Sequence, residues 1–169
     1  IPGANASTYN TGVLTATTQY RVFLSSTASG CEDIFSTIIT VDVTPDIAIT
    51  SPPVGNAICS GGSHTMTVAA NGSPGIQYQW EIYSSGIWVP ISGATASTYI
   101  AGPLTSTTEY RVFVYANQSG CEDVYSSPVT VTVFPDINIS AQPVGGAICT
   151  GGDFNLTVTA SGSPDIHYQ

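Results

Sequence analysis

The sequence predicts an all-β chain made of tandem β-sandwich domains. Apolar and polar residues alternate in short runs, and no helical period is sustained anywhere. The 17 Gly and 11 Pro separate these runs by frequent turns. Residues 1–79 also align without a gap on residues 91–169, with 46 identities. The offset of 90 residues is too long for a solenoid unit, so each period corresponds to one small domain.

The composition excludes several classes of function. The chain has 2 Lys and Arg against 11 Asp and Glu, so nucleic acid and anionic membranes are poor partners. No run approaches the ~18 apolar residues of a membrane helix, and we expect no membrane insertion. There is no Lys, no GxSxG and no HExxH, which removes Schiff-base and P-loop chemistry and predicts a protein that is not an enzyme.

Alternation within one complete repeat predicts eight strands. They lie at about 47–50, 54–58, 64–70, 76–83, 86–91, 97–101, 108–116 and 124–134. The residues predicted to face the core are Met66, Val68, Ala70, Ile76, Tyr78, Trp80, Ile82, Tyr110, Val112, Val114, Val129, Val131 and Val133. A core Trp on the third strand and a Tyr that opens the penultimate strand are typical of an immunoglobulin-like sandwich. We therefore expect Trp80 to be a core residue.

Turn chemistry sets the predicted domain boundaries. Each repeat passes through a Pro-Asp pair before a new alternating run begins, so we place boundaries after Asp46 and Asp136. Residues 1–46 are then the second half of one repeat, 47–136 a complete repeat and 137–169 the first half of a third. Pro45 and Pro135 predict short, stiff linkers. We expect the chain to be a segment of a longer array.

Several segments resemble a known family. They are 58–62 (ICSGG), 65–70 (TMTVAA), 78–80 (YQW), 91–95 with 97–99, 107–112 and the Gly120-Cys121 pair. Together they look like the Ig-like tandem repeats of large Bacteroidota cell-surface and adhesin proteins, which are typically exported by type IX secretion. The resemblance implies an extracellular, cell-surface location. The family that these segments resemble includes adhesins and filament subunits.

Each period contains two cysteines, which indicates an oxidising compartment. A translational repeat excludes pairing Cys31 with Cys121, because each cysteine would then need two partners. The preferred bridge joins Cys59 to Cys121 within a repeat, because each repeat holds one such pair, although the usual sandwich topology would place the two at opposite ends, beyond the ~7 Å Cα limit of a disulfide. The alternatives are Cys31 with Cys59 and Cys121 with Cys149, or bridges to another repeat or chain. We expect all four thiols to be oxidised.

Three acidic residues near the junction are a candidate metal site with few ligands. In a head-to-tail array, Asp46, Glu122 and Asp123 would converge, and Ca²⁺ takes oxygen ligands. No acidic motif supports them, and acidic turns are usually solvated. We therefore predict no cofactor, with Ca²⁺ as the alternative.

The sheet face opposite the core carries a recurring pattern. If Tyr110 and Val112 point inward, Arg111, Phe113 and Tyr115 point outward, and the first two recur as Arg21 and Phe23. One interpretation pairs Arg111 with Glu81 on the neighbouring strand, with Phe113 shielded by the arginine stem. The other is a lateral contact surface that joins chains into a homo-oligomer or fibre.

The sequence therefore predicts a non-catalytic structural repeat in the stalk or filament of a secreted bacterial adhesin. The second hypothesis is a carbohydrate-binding module, in which Tyr83, Phe113 and Tyr115 stack on a surface glycan or other cell-surface ligand. Tyr115 is replaced by Ser25 in the first repeat, which counts against it. A third is an accessory domain of a secreted hydrolase.

Stiffness without metal is testable. Small-angle scattering of a protein with several repeats should give the same rod-like cross-section and maximum dimension in calcium and in chelator, because the proline linkers need no ion. A large shortening on chelation would show that Asp46, Glu122 and Asp123 hold Ca²⁺.

Overall fold

A computed structural model describes residues 1–117 and 121–169. The described residues form sixteen strands and no helix, so none of them belongs to a helix that could span a membrane. The strands are β1 (Thr18–Tyr20), β2 (Phe23–Leu24), β3 (Ile34–Phe35), β4 (Ile39–Val41), β5 (Ala48–Ser51), β6 (Asn56–Cys59), β7 (His64–Thr67), β8 (Ala69–Asn71), β9 (Gln77–Ser84), β10 (Ile87–Pro90), β11 (Thr98–Ala101), β12 (Thr108–Tyr115), β13 (Val124–Tyr125), β14 (Val129–Phe134), β15 (Asn138–Ala141) and β16 (Thr159–Ser161). Gly120 of the family-like motif lies outside the described residues.

Strands β5–β14 form a two-layered sandwich. One layer has the order β10-β9-β12-β14-β6, with β13 paired to β12. All its pairs are antiparallel except that of β14 with β6, which is parallel. The other layer contains the antiparallel pairs β11-β7 and β5-β8. This arrangement confirms the predicted all-β, Ig-like sandwich.

Two of the predicted strands are interrupted. The predicted strand 64–70 is divided at Val68, where the chain changes its partner strand: β7 pairs with β11, and β8 pairs with β5. The predicted strand 124–134 is broken around Ser126, a buried residue. Its hydroxyl accepts a bond from the N–H of Val112 at 3.1 Å. Pro128 follows and has no N–H to donate, so pairing resumes only at β14.

The core lies between the layers around Trp80, as predicted. Trp80 is fully buried and its indole N–H donates to the carbonyl of Ala96 at 2.9 Å. Tyr99 stacks on it with ring centroids 5.7 Å apart. Burial raises the pKa of the Tyr110 hydroxyl, Tyr99 raises it further, and a hydrogen bond with Thr108 lowers it. The other buried apolar residues are Ile47, Met66, Val68, Ala101, Val112, Val114 and Val131.

The first segment shows the same core face in an incomplete setting. Strands β1 to β4 are joined in the pairs β1-β4 and β2-β3, and their inward residues border an open cavity. The lining residues include Tyr9, Tyr20, Val22 and Val41. Their counterparts 90 residues later are Tyr99, Tyr110, Val112 and Val131, which pack around Trp80. Segment 1–46 thus carries residues that match one side of the core, while its assignment as the second half of a repeat and the boundaries after Asp46 and Asp136 stay predictions.

Truncating one core side chain should separate buried from exposed positions. Met66→Ala is expected to lower the free energy of unfolding by about 2–5 kcal/mol, because it leaves a cavity in the core that contains Trp80. Ile100→Ala, on the strand paired with β7 and 62% exposed, should change it by less than about 0.5 kcal/mol. Urea unfolding followed by tryptophan fluorescence measures both. Equal losses in the two variants would contradict the observed core.

Candidate interaction site

An aromatic face covers the outer side of the larger sheet. We define it by Tyr83, Trp88, Arg111, Phe113, Tyr115 and Tyr125, which lie on strands β9, β10, β12 and β13. On β12, alternate residues point to opposite sides, so Val112 and Val114 enter the core while Arg111 and Phe113 point outward. One strand therefore supplies both the core and this face.

Arg111 forms an ion pair across the sheet. It stands opposite Glu81 in the β12-β9 register, and its Nε donates to Glu81 Oε2 at 2.6 Å. The two side chains are only 23% and 10% exposed. This confirms the predicted Arg111–Glu81 contact. It also shows that the Glu81 carboxylate is largely inaccessible to solvent.

Aromatic rings surround the guanidinium. Its Cζ lies 4.6 Å from the ring centroid of Trp88 and 4.1 Å from that of Tyr125. A cation over such a ring is attracted by the ring's electron-rich face. Phe113 stacks on Tyr115 at 5.1 Å and on Tyr125 at 4.6 Å. The rings of Tyr115 and Tyr125 thus cover Phe113, while its shielding by the arginine stem stays a prediction.

The same cluster recurs in the first segment. The Cζ of Arg21 lies 4.3 Å from the ring centroid of Phe35, and Phe23 packs on Phe35 at 4.8 Å. Phe35 is the counterpart of Tyr125. Arg21 and Arg111 are the only cationic Lys or Arg side chains of the sequence, and both lie over aromatic rings.

Sequence reasoning found part of this face and missed the rest. Of the predicted contact residues, Arg111, Phe113 and Tyr115 lie together on β12, and Arg21 and Phe23 lie together in the first segment. It adds Trp88 and Tyr125, which were missed. Recurrence of an aromatic at 35 and 125 could have revealed the second. Trp88 is found only through the β9-β10 register, where it stands opposite Tyr83 and packs on it at 5.1 Å.

The calcium alternative is not supported by the geometry. Asp46, Glu122 and Asp123 are all exposed. Within residues 1–117 and 121–169, no three His, Cys, Asp or Glu side chains are grouped so that they could hold a metal ion. The three carboxylates therefore do not converge as a head-to-tail arrangement suggested.

The preferred cysteine bridge is also corrected. No two of the four cysteines are bonded to each other in this structure, and the strand register separates Cys59 from Cys121. Cys59 pairs with Phe134, beyond the level at which Thr108 opens β12. Cys121 follows the other end of that 8-residue strand. At about 3.3 Å per residue, roughly 25 Å separates them, far beyond the ~7 Å Cα limit of a disulfide.

The two alternative pairs fail for the same reason. Cys31 is the counterpart of Cys121, and it precedes β3 as Cys121 precedes β13. Cys149 is the counterpart of Cys59, and the N–H of Gly152 donates to its carbonyl as that of Gly62 does to Cys59. Pairing Cys31 with Cys59, or Cys121 with Cys149, would thus join the near end of one repeat to the far end of the next.

The Arg111–Glu81 pair makes a sharp test of the face. Arg111→Met should lower the free energy of unfolding by about 2–3 kcal/mol, because Glu81 would keep its charge with no cation beside it. The double variant with Glu81→Gln should be more stable than Arg111→Met alone. Glu109→Gln, at an exposed position on the same strand, is the control in urea unfolding. If Arg111→Met lowered the free energy of unfolding by less than about 0.5 kcal/mol, the pair would contribute no more than a solvated surface contact.

Comparisons with known proteins agree with this fold. Drosophila OTK extracellular domains 3–5 are similar, with a TM-score of 0.55, 20% identity and coverage of 86% of this chain and 49% of that one. The titin I-band fragment I67–I69 has a TM-score of 0.56, 14% identity and coverage of 88% and 52%. For Sidekick-1 immunoglobulin domains 1–4 the values are 0.51, 16%, 79% and 38%. The chain thus spans about half or less of these structures, and they support an Ig-like tandem fold alone.

No curated protein sequence matches the chain significantly. The family described as "Domain of unknown function (DUF8696)" matches residues 1–45 and 51–135, so the chain belongs to that family.

Proposed function

We propose that this chain is a non-catalytic structural repeat that builds the stalk or filament of a secreted bacterial cell-surface adhesin. The observation that carries the proposal is a close-packed junction that occurs twice, 90 residues apart. A Cβ on Gly72 would collide with the carbonyl of Asp46, and one on Gly162 would collide with that of Asp136. Both glycines have positive φ, at 118° and 126°. The backbone that follows each Pro-Asp pair is therefore packed against its own domain, which leaves little free linker.

A short linker suits a mechanical role. Pro45 fixes φ just before the junction, and the Thr44 hydroxyl lies 3.7 Å from the Cys121 thiol of the following domain. Successive domains are then held by contacts and not by a flexible tether. A row of such domains would carry a binding element away from the cell surface and resist pulling.

The location rests on the sequence resemblance. The segments that look like Bacteroidota surface repeats support export by the type IX route and an extracellular, cell-surface position. Gold-labelled antibody against the chain, applied to intact cells of the source organism, tests this directly. Label confined to permeabilised cells would overturn it.

The aromatic face supports lateral association of identical chains. Phe23 and Phe35 are each about half exposed, at 51% and 52%, and Tyr125 is 48% exposed. With only 8% charged residues, little in the sequence keeps two such faces apart. Because the face recurs every repeat, weak contacts would add up along two parallel chains.

A second candidate is a carbohydrate-binding module. Tyr83 is 43% exposed beside Trp88, so its ring could stack on a sugar. Phe113 and Tyr115 suit this role less, because they are already stacked on each other. Retention on polysaccharide that Tyr83→Ala abolishes would favour this candidate, and equally strong retention of the variant would count against it.

Sedimentation of a protein with several repeats tests lateral association. Phe23→Glu with Phe113→Glu should dissociate the assembly, because each repeat would bury an unpaired carboxylate in the contact. The matched control is Thr8→Glu with Thr98→Glu. It adds the same charges at exposed positions 90 residues apart, with Thr98 on the opposite sheet. If the wild type is a monomer at high concentration, or if the Phe variant assembles as well as the control, the stalk is a single chain without lateral association.

A further inference from the structure

The sulfur of Cys121 lies at the junction between two repeats. Its thiol donates to the hydroxyl of Ser73 at 3.4 Å, and Ser73 is buried. The same sulfur lies 3.7 Å from Oγ1 of Thr44, which belongs to the end of the preceding repeat. Cys121 is half-buried here, whereas the other three cysteines are exposed. It therefore lies against the end of the preceding repeat, three residues beyond β4.

The repeat identifies what stands beside Thr44 in a complete neighbour. Thr44 is the counterpart of Phe134, 90 residues later. Phe134 is the register partner of Cys59 in the parallel pair β14-β6, and the N–H of Ser60 donates to the Phe134 carbonyl at 2.9 Å. In a complete preceding repeat, the strand next to Thr44 would thus carry the counterpart of Cys59 at the same level.

The side chains would point the same way. Register partners in a β-ladder project from the same face, and adjacent strands are about 4.8 Å apart. The hydroxyl of Thr44 faces the Cys121 sulfur, so the thiol of the neighbouring cysteine would face it too. Disulfides form when Cα atoms are about 4.4–6.8 Å apart, so two cysteines that both lie beside the Thr44 hydroxyl are candidates for such a bond.

We infer that Cys59 of each repeat forms a disulfide with the counterpart of Cys121 in the following repeat, across every junction of the array. The inference rests on the proposed tandem array. Each repeat then donates one thiol to the repeat before it and one to the repeat after it. This explains why the period contains two cysteines at opposite ends of a sandwich that does not bond them to each other.

The reaction is a two-electron oxidation by thiol–disulfide exchange. The Cys121 thiolate attacks a small disulfide oxidant such as oxidised glutathione, and one reduced glutathione leaves. The thiolate of the neighbouring cysteine then attacks the mixed disulfide and releases the second. One S–S bond is broken and one is formed, the two thiol protons pass to the glutathione thiols, and the two electrons reduce the oxidant.

The test completes the first repeat with the chain's own residues. Since Ile1 is the counterpart of Ile91, residues 47–90 can be placed directly before Ile1 of the full chain. After oxidation in a glutathione buffer, non-reduced peptide mapping should find the added copy of Cys59 bonded to Cys121. Cys31, the original Cys59 and Cys149 should remain alkylatable. The unextended chain should keep all its cysteines free of protein disulfides.

Two controls isolate the predicted bond. Cys121→Ser in the extended chain should abolish the cross-link, and Cys31→Ser should leave it intact. A second protein completes the third repeat by adding residues 80–136 after Gln169, because Gln169 is the counterpart of Gln79. In that protein the original Cys59 should bond to the added copy of Cys121. This second arrangement tests the inference independently if the first does not fold.

The results also separate this inference from the array itself. Small-angle scattering under reducing conditions reports whether the extended chain is elongated, with or without a bridge. An elongated, folded chain with no cross-link, or a bond between Cys59 and Cys121 of one repeat, would overturn the inference alone. A folded chain whose scattering shows freely jointed domains would overturn the stiff array.

Discussion

The packing of the two sheets in strands β5–β14 is centred on the buried side chain of Trp80. Its ring is fully buried, and its single polar atom is satisfied by the carbonyl of Ala96. That bond ties β9 to the loop before β11, which belongs to the other layer. Because Tyr99 then stacks on the indole and Tyr110 packs on Tyr99, the aromatic core fixes how the layers face each other.

Side chains alternate between the two faces along β12, so the residues that enter the core determine which residues form the outer face. Burial of Val112 and Val114 forces Arg111, Phe113 and Tyr115 outward, whatever use the molecule makes of them. Arg111 then finds Glu81 on the neighbouring strand and the rings of Trp88 and Tyr125 above it. A cation in this position satisfies a largely buried carboxylate and covers aromatic surface at once. The face is consequently ordered by the core beneath it.

Properties that depend on alternation could be predicted from the sequence. The strands, the core position of Trp80 and the Arg111–Glu81 contact all follow from short-range patterns and from pairing of adjacent strands. Trp88 could not be placed, because its neighbours depend on the exact hairpin register of β9 and β10. The cysteine pairing failed for a different reason. One cysteine pair per repeat favoured a bridge within the repeat, whereas the parallel β14-β6 pair carries Cys59 to the end of the sandwich away from Cys121.

The parallel β14-β6 pair also links the fold to the array. In an antiparallel sandwich with hairpin connections, the first strands could have left Cys59 near the junction with the preceding repeat. Parallel pairing instead places it beside Phe134, the last residue of β14 and the counterpart of Thr44, which the next domain touches. The direction of β6 thus determines which residue stands beside Phe134, the counterpart of the residue that the following domain contacts. In a repeat array, where stability is the sum of unit and nearest-neighbour terms, such a contact acts at every junction and not once per molecule.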